Sequence, residues 1–307
     1  MILKSKDLLG LKDITKEEIQ GILDTAKTMK LIIQSGTKKT PHLQGKTVIT
    51  LFYENSTRTR TSFELAAKYM SGNSVNISVS TSSVAKGETL IDTGRTLDVM
   101  GTDVIIIRHS MAGAPDLLAK HTNAAVINAG DGLNEHPTQA LLDMFTVMEA
   151  KGDLNGLKVA IVGDILHSRV ARSNIWGMTK MGAKVVVAGP PTLLPSHIKD
   201  LGVEAYTDIE KAVEDADVVM ALRIQKERLE KGLFPSVSEY ARFFGINENI
   251  VKKAKKDALI MHPGPVNRGV EITSALVDGD SSLIDTQVTN GVAIRMALLY
   301  LMTRKDG

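Results

Sequence analysis

Ser56-Thr57-Arg58-Thr59-Arg60 sets three hydroxyls and two guanidinium groups within five residues, close behind the apolar run Thr47–Phe52 and at the start of a helical pattern. The first N–H groups of a helix have no intrahelical partner, and the helix dipole is positive there, so such a start attracts anions. Ser56 and the threonines can cap the helix, while the arginines present planar two-donor forks that match phosphate oxygens. Ser56 alone would read only as a helix cap. The whole run predicts a pocket for a small phosphate compound.

Related residues recur wherever an apolar run ends. Arg108-His109 follows 103–107, and Gly130-Asp131-Gly132-Leu-Asn134-Glu-His136-Pro137-Thr-Gln139 follows 125–128. Gly163-Asp164-Ile-Leu-His167-Ser168-Arg169 follows 158–162, Arg223-Ile-Gln225-Lys-Glu-Arg228 follows 218–222, and His262-Pro-Gly-Pro265 follows 258–261. In open α/β sheets, ligands sit at the carboxyl ends of strands. Arginine, histidine, glutamine and hydroxyls at those ends suit anion binding and the stabilisation of developing negative charge. No obvious carboxylate pair for general-base work stands among them. Taken singly, each has a plainer reading. A strand-end arginine is commonly a paired or solvated surface residue. Lys86, in Ser82-Ser83-Val-Ala-Lys86-Gly-Glu88, reads as a loop lysine, His136 as a loop histidine at a helix start, and Asp164 as a cap for the helix behind it. The 262–265 segment reads as a rigid turn whose two prolines suit a cis bond.

Two nucleotide motifs fail. Val162-Gly163-Asp164 opens like a dinucleotide fingerprint, but Ile165 and Ser168 stand where its second and third glycines belong, and no P-loop pattern occurs. The sequence holds no cysteine, which excludes disulfides, thiolate nucleophiles and Cys-based zinc sites. Its seven histidines are scattered without a metal-ligand pair on one helix; neither a metal nor an organic cofactor is expected. A net charge of +2 on 307 residues argues for no nucleic-acid partner. No apolar stretch resembles a signal peptide or a membrane span, so the expected location is the cytoplasm and no membrane partner is expected. Asn55-Ser-Thr57 fits the glycosylation pattern, which has meaning only in a secreted chain.

The elements that must position these residues alternate. Thr15 and Glu18 form a capping-box pair, and Ile14 and Ile19 occupy staple positions. Ile19, Ile22, Leu23, Ala26 and Met29 then make one apolar stripe that Gly36 is expected to stop. Strand patterns at 47–52, 75–79, 103–107 and 125–128 alternate with helical ones at 57–70, 89–100, 114–121 and 137–150. A second series has strands at 158–162, 184–188, 203–206, 218–222 and 258–261, with helices at 168–181, 194–200, 209–215 and 247–254. The polar segment 223–246 reads as a long functional loop. The alternation predicts an α/β fold of two domains, each a parallel β-sheet flanked by helices. The first domain is expected over 1–135, with a C-terminal helix at 287–307 packing back on it, and the second over 136–286.

Together, Ser56–Arg60, Lys86-Gly-Glu88, Arg108-His109, Asn128–Gly132, His136-Pro-Thr-Gln139, Val162-Gly-Asp164, Arg223–Arg228 and His262-Pro-Gly-Pro265 closely resemble the aspartate/ornithine carbamoyltransferase family, in order and over essentially the whole length. Arg-x-Gln-Lys-Glu-Arg and His-Pro-x-Pro point to its aspartate branch. The ornithine branch has a Cys-containing His-Cys-Leu-Pro segment and a Ser-Met-Gly motif, and neither is present. The resemblance implies transfer of a carbamoyl group from carbamoyl phosphate, held by the first domain, to L-aspartate, held by the second, in pyrimidine biosynthesis. It implies that Ser56, Thr57, Arg58 and Thr59 hold the phosphate, and that Thr59, Arg108 and His136 donate to the carbonyl oxygen, with Gln139 near the carbamoyl nitrogen. Arg169, Arg223 and Gln225 would bind the aspartate carboxylates, and the backbone at Pro263, Gly264 and Pro265 would receive the amino groups. It further implies a homotrimer in which a serine and Lys86 from the adjacent subunit complete each site; Ser82 fits the serine by spacing, and Ser83 is the other candidate. Regulatory chains or a dihydroorotase are further partners that the family allows. Two other readings are a carbamoyltransferase for another amine such as ornithine, and a catalytically silent scaffold subunit.

Overall fold

Helix α1, Lys16–Gln34, starts as its sequence dictates: the Thr15 hydroxyl accepts from Glu18 N–H, and the Glu18 carboxylate accepts from Thr15 N–H at 3.0 Å. Ile19, Ile22, Leu23, Ala26 and Met29 are its buried stripe. Its stop is not the expected Gly36. Ser35 caps it from an extended conformation, with its N–H shared between Leu31 and Ile32 carbonyls and its hydroxyl donating to the Ile32 carbonyl at 2.7 Å. An extended cap whose own side chain serves the last carbonyls has no need of glycine.

The computed structural model describes residues 3–78, 87–224 and 236–304. The chain divides into two compact units, 1–145 with 288–307, and 146–287. In the first unit α1 is followed by β1 (Thr47–Phe52), α2 (Thr57–Tyr69), β2 (Asn73–Ser78), α3 (Leu90–Val99), β3 (Val104–His109), α4 (Ala114–Ala119), β4 (Ala125–Asp131) and the start of α5 (Pro137–Lys151). The four strands are parallel in the order β2-β1-β3-β4. Ile49, Leu51, Ile105, Ile107 and Val126 pack with Leu97 and Leu118. Val104–Ile107 are all fully buried, the continuous apolar run of a strand covered on both faces.

The second unit runs β5 (Lys158–Val162), α6 (Arg169–Lys180), β6 (Lys184–Ala188), β7 (Glu204–Tyr206), α7 (Ile209–Val213), β8 (Val218–Ala221), α8 (Val237–Phe244), α9 (Glu248–Val251), β9 (Leu259–Met261) and α10 (Ser274–Val277). Its five strands are also parallel, in the order β7-β6-β5-β8-β9. Helix α11 spans Ile284–Thr303, and from Val288 onward it belongs to the first unit. There Ile294, Met296, Leu298 and Leu299 are fully buried.

Two of these expectations need correction, and one helix has no counterpart among them. The helical reading of 194–200 gives way to two 3₁₀ turns, Pro191–Leu193 and Ile198–Leu201, because Pro190, Pro191 and Pro195 offer no N–H for a continuous helix. The segment 223–246 is not one loop: α8 occupies 237–244, with the Ser236 hydroxyl accepting from Glu239 N–H and Tyr240 buried. Ser236-x-x-Glu239 is itself a helix-start signal that the polar composition hid. The four-residue helix α10 was not expected at all.

Candidate active site

Each sheet has one place where the chain order reverses. In the first it lies between β1 and β3, and in the second between β5 and β8. The crevice at such a point, beyond the carboxyl ends of the strands, is where an open α/β sheet takes ligands. The residues singled out by type fall at these ends. Ser56–Thr59 follow β1, Arg108 is the penultimate residue of β3, and His136 and Gln139 follow β4, the next strand. Arg169 follows β5, Arg223 follows β8, and Pro263–Pro265 follow β9, its neighbour.

In the first unit, Ser56 occupies the N-cap position of α2 in an extended conformation but makes no capping hydrogen bond, contrary to the capping reading. Thr57 and Arg58 are exposed on the first turn, and Thr59 is buried beneath them. Arg108 pairs in register with Phe52 of β1, and its carbonyl accepts from Tyr53 N–H at 2.8 Å. Its guanidinium lies between two elements: Nε is 3.3 Å from Oε2 of Glu54, and Nη1 donates to the Ala129 carbonyl at 3.4 Å. The charge is thus fixed beside the α2 start. His109 turns to its own loop, its Nδ1 accepting from Met111 N–H at 2.9 Å. Burial holds its pKa below the ordinary histidine value, against the opposing charges of Glu54 and Asp131.

The motif Asn128–Gly132 builds the turn that delivers His136. Asp131 is fully buried; Oδ1 accepts from Asn128 Nδ2 and Glu135 N–H, and Oδ2 from Gly113 N–H and Asn134 Nδ2. Gly132 has φ +51°, and a Cβ there would stand 2.7 Å from the Ser110 carbonyl oxygen, so no larger residue fits. His136 is buried, with Nδ1 3.5 Å from the Thr138 hydroxyl. Gln139 Nε2 donates to Asp143 at 2.9 Å. Behind them Arg295 of α11 donates through Nη1 to the Gly291 carbonyl at 2.9 Å and lies 5.0 Å above the Phe63 ring. Its Nη2 is 3.5 Å from the Thr138 hydroxyl. Burial pushes the Arg295 guanidinium down to about 10, with the Asp143 charge opposing.

In the second unit, β5 is followed by Gly163 at φ +138°, packed against Leu222, and Gly189 after β6 is so close that a Cβ on it would stand 2.2 Å from the Gly163 carbonyl oxygen. This tight passage sets the direction of the loop to Arg169. Asp164 does not cap α6. Its carboxylate accepts from His167 N–H at 3.1 Å and faces the His167 ring at 2.9 Å, while Ser168 is the cap, accepting from Ala171 N–H at 3.1 Å. Arg169 is then the first residue of α6 and is buried. Arg223 follows β8 half-buried, one residue beyond Leu222, whose N–H donates to the Val162 carbonyl of β5 at 2.8 Å. The peptide between Gly264 and Pro265 is cis, as the two prolines suggested.

Within each unit, then, the structure brings the expected residues to one edge of one sheet. Ser82, Lys86 and Gln225 lie outside the described residues. Among the described residues, no cluster of His, Cys, Asp and Glu is arranged to hold a metal, and no helix is long and apolar enough to cross a membrane. Residue typing missed Glu54, Asp143, Arg295, Glu271 and Gln287, all polar groups that hold or face the named ones. One signal was available: Arg295 interrupts the apolar run Val292-Ala-Ile-Arg-Met-Ala-Leu-Leu299, where a charge must have a partner.

Residues 6–149 match the carbamoyl-P binding domain of aspartate/ornithine carbamoyltransferases, and residues 155–302 match the Asp/Orn binding domain of the same proteins. The aspartate carbamoyltransferase catalytic subunit of Acetivibrio thermocellus is 71% identical over 306 residues, covering 100% of this chain and 98% of the relative. That of Ruminiclostridium cellulolyticum is 68% identical, covering 99% and 97%. Among solved structures, an ornithine carbamoyltransferase from Pyrococcus furiosus superposes with a TM-score of 0.88 at 35% identity, covering 98% of each chain. An aspartate transcarbamoylase from Trypanosoma cruzi in complex with N-(phosphonacetyl)-L-aspartic acid gives 0.87 at 31% identity, covering 97% and 96%. The chain belongs to the aspartate/ornithine carbamoyltransferase family.

Proposed function

We propose that this chain is an aspartate carbamoyltransferase catalytic subunit, moving the carbamoyl group of carbamoyl phosphate to L-aspartate to give N-carbamoyl-L-aspartate and phosphate, for pyrimidine synthesis in the cytoplasm. The observation that carries this reading is the placement of two arginine sets at the carboxyl edges of two parallel sheets, one beside a helix start rich in hydroxyls. The first unit takes carbamoyl phosphate: Ser56, Thr57, Arg58 and Thr59 hold its phosphate at the α2 start. Thr59, Arg108 and His136 donate to its carbonyl oxygen, and Gln139 faces its nitrogen. The second unit takes L-aspartate, with Arg169 and Arg223 as carboxylate clamps, joined by Gln225. The carbonyls of Pro263 and Gly264 receive the amines. The chain works as a homotrimer in which Ser82 and Lys86 of an adjacent subunit enter each site.

The chemistry follows from those positions. The deprotonated aspartate amine attacks the carbamoyl carbon and forms the C–N bond. The carbonyl electron pair moves to oxygen, where Thr59, Arg108 and His136 donate to it and stabilise the charge. The bond to the phosphate oxygen then breaks, and the departing phosphate carries off the amine proton, so no separate protein base is required. Holding two anions in attack geometry supplies much of the acceleration.

Product analysis tests this. Carbamoyl phosphate is offered with L-aspartate and, separately, with L-ornithine. Carbamoyl aspartate alone is expected. Citrulline would overturn the acceptor assignment, and no product from folded protein would favour the silent-subunit reading. The ornithine alternative rests on the Pyrococcus furiosus fold match, but Arg223-Ile-Gln225-Lys-Glu-Arg228 suits a dicarboxylate.

A further inference from the structure

The loop behind β9 contains a buried polar chain that none of the roles above uses. His262 and Glu271 are each 1% exposed. Nδ1 of His262 lies 2.8 Å from Gly264 N. A backbone N–H only donates, so Nδ1 is the acceptor and carries no proton. The ring proton therefore sits on Nε2, 3.1 Å from Oε1 of Glu271. Glu271 is held in turn by Asn267, whose N–H donates to Oε1 at 2.6 Å and whose Nδ2 donates to Oε2 at 3.2 Å. On the other side, His262 N–H donates to Oε1 of Gln287 at 3.0 Å.

The consequence lies in one peptide plane. The Gly264 N–H and the Pro263 carbonyl belong to the same unit, which is trans because the cis bond is the next one. In a trans peptide the two point in opposite directions. When His262 Nδ1 grips the N–H, the Pro263 carbonyl is aimed directly away from the ring. The opposite tautomer would set an Nδ1–H donor against the Gly264 N–H donor and expel the loop from this position. A carboxylate at Nε2 selects the first tautomer and excludes the second. We propose that Glu271 is a positioning residue for the transfer reaction: by fixing the Nε2–H tautomer of His262, it sets the direction of the Pro263 carbonyl that receives an amine. This rests on the proposed function, since it gives that carbonyl its ligand.

The test combines a spectroscopic and a kinetic readout on the full-length protein. Imidazole-¹⁵N NMR should show the wild-type His262 protonated at Nε2 alone. In Glu271→Ala that signature should be lost, and kcat should fall on the order of 10²-fold, the scale of a misplaced reacting group. Binding of inorganic phosphate, followed by calorimetry, should stay unchanged because Ser56–Thr59 are untouched. Glu271→Gln, whose amide oxygen still accepts from Nε2–H, should restore the tautomer and most of kcat. Should the alanine variant not fold, Glu271→Asp, which retracts the acceptor by one methylene, takes its place with the same expectations. A wild-type His262 protonated at Nδ1 would overturn the proposal. So would a lost tautomer with kcat unchanged, or loss of phosphate binding together with kcat. Failure of the underlying function reads differently: wild type makes no carbamoyl product at all, and the positioning role falls with it.

Discussion

Arg108 Nε and Glu54 Oε2 lie 3.3 Å apart, with side chains 15% and 20% exposed. A pair this sheltered is screened little by salt, and it holds the guanidinium at one place beside the start of α2. The carboxylate orients Arg108 and partly offsets its charge. Glu54→Ala should therefore lower kcat by roughly tenfold through lost orientation. It should not weaken inorganic phosphate binding, since the cationic charge remains. Steady-state kinetics with phosphate calorimetry checks this, and weaker phosphate binding in the variant would sink the orienting role.

Arg58 stands exposed on the first turn of α2 and is proposed to meet the phosphate directly. Arg58→Ala should lower turnover by at least on the order of 10²-fold, the cost of one lost donor to developing charge. Lys86→Ala should be inactive as well, if Lys86 enters the site of an adjacent subunit. Dissociating and remixing the two inactive variants should then restore part of the activity, because some mixed sites carry neither change. No recovery on mixing would argue that each site is built from one chain.

How much of this was legible in the sequence depends on what each residue answers to. The parallel strands read clearly because burial on both faces demands a continuous apolar run, as in Val104–Ile107. Arginines and histidines at strand ends were equally visible, since strand ends are where such a sheet exposes its site. What stayed hidden is what tertiary contacts decide. Ser35 ends α1 in place of Gly36 because its own hydroxyl serves a carbonyl. Asp164 yields the capping of α6 to Ser168 because the His167 ring and N–H claim its carboxylate. Glu271 lies nine residues from the histidine it holds, at a spacing that no local periodicity marks.

Arg295 and Asp143 make a second buried charge relationship in the first unit. Arg295 is 3% exposed and Asp143 is fully buried. Arg295→Met keeps much of the volume but removes the donors to the Gly291 carbonyl and the Thr138 hydroxyl and the positive charge that faces Asp143. The expected cost is about 1–3 kcal/mol in a urea melt. Asp143→Asn in the same chain should recover part of it, because it removes the buried negative charge while keeping an acceptor for Gln139 Nε2. Strictly additive losses in the double-mutant cycle would mean that the two groups do not interact.

His109 gives a dependence on pH whose sign is fixed by its burial. Burial lowers its pKa in the folded chain, with Glu54 and Asp131 opposing. The unfolded chain takes up its proton first, near the ordinary value of about 6.5. As pH falls through that value the unfolded state binds more protons than the folded one, and stability drops until the folded ring is protonated too. Above it the contribution vanishes. His109→Asn keeps an acceptor for Met111 N–H, now 2.9 Å from Nδ1, but cannot titrate. Between about pH 7.5 and about pH 5.5 the urea midpoint of wild type should therefore fall further than that of the variant. At the upper end of that range the two midpoints should change in parallel. Parallel behaviour over the whole range would mean that the folded ring takes up its proton as readily as the unfolded one.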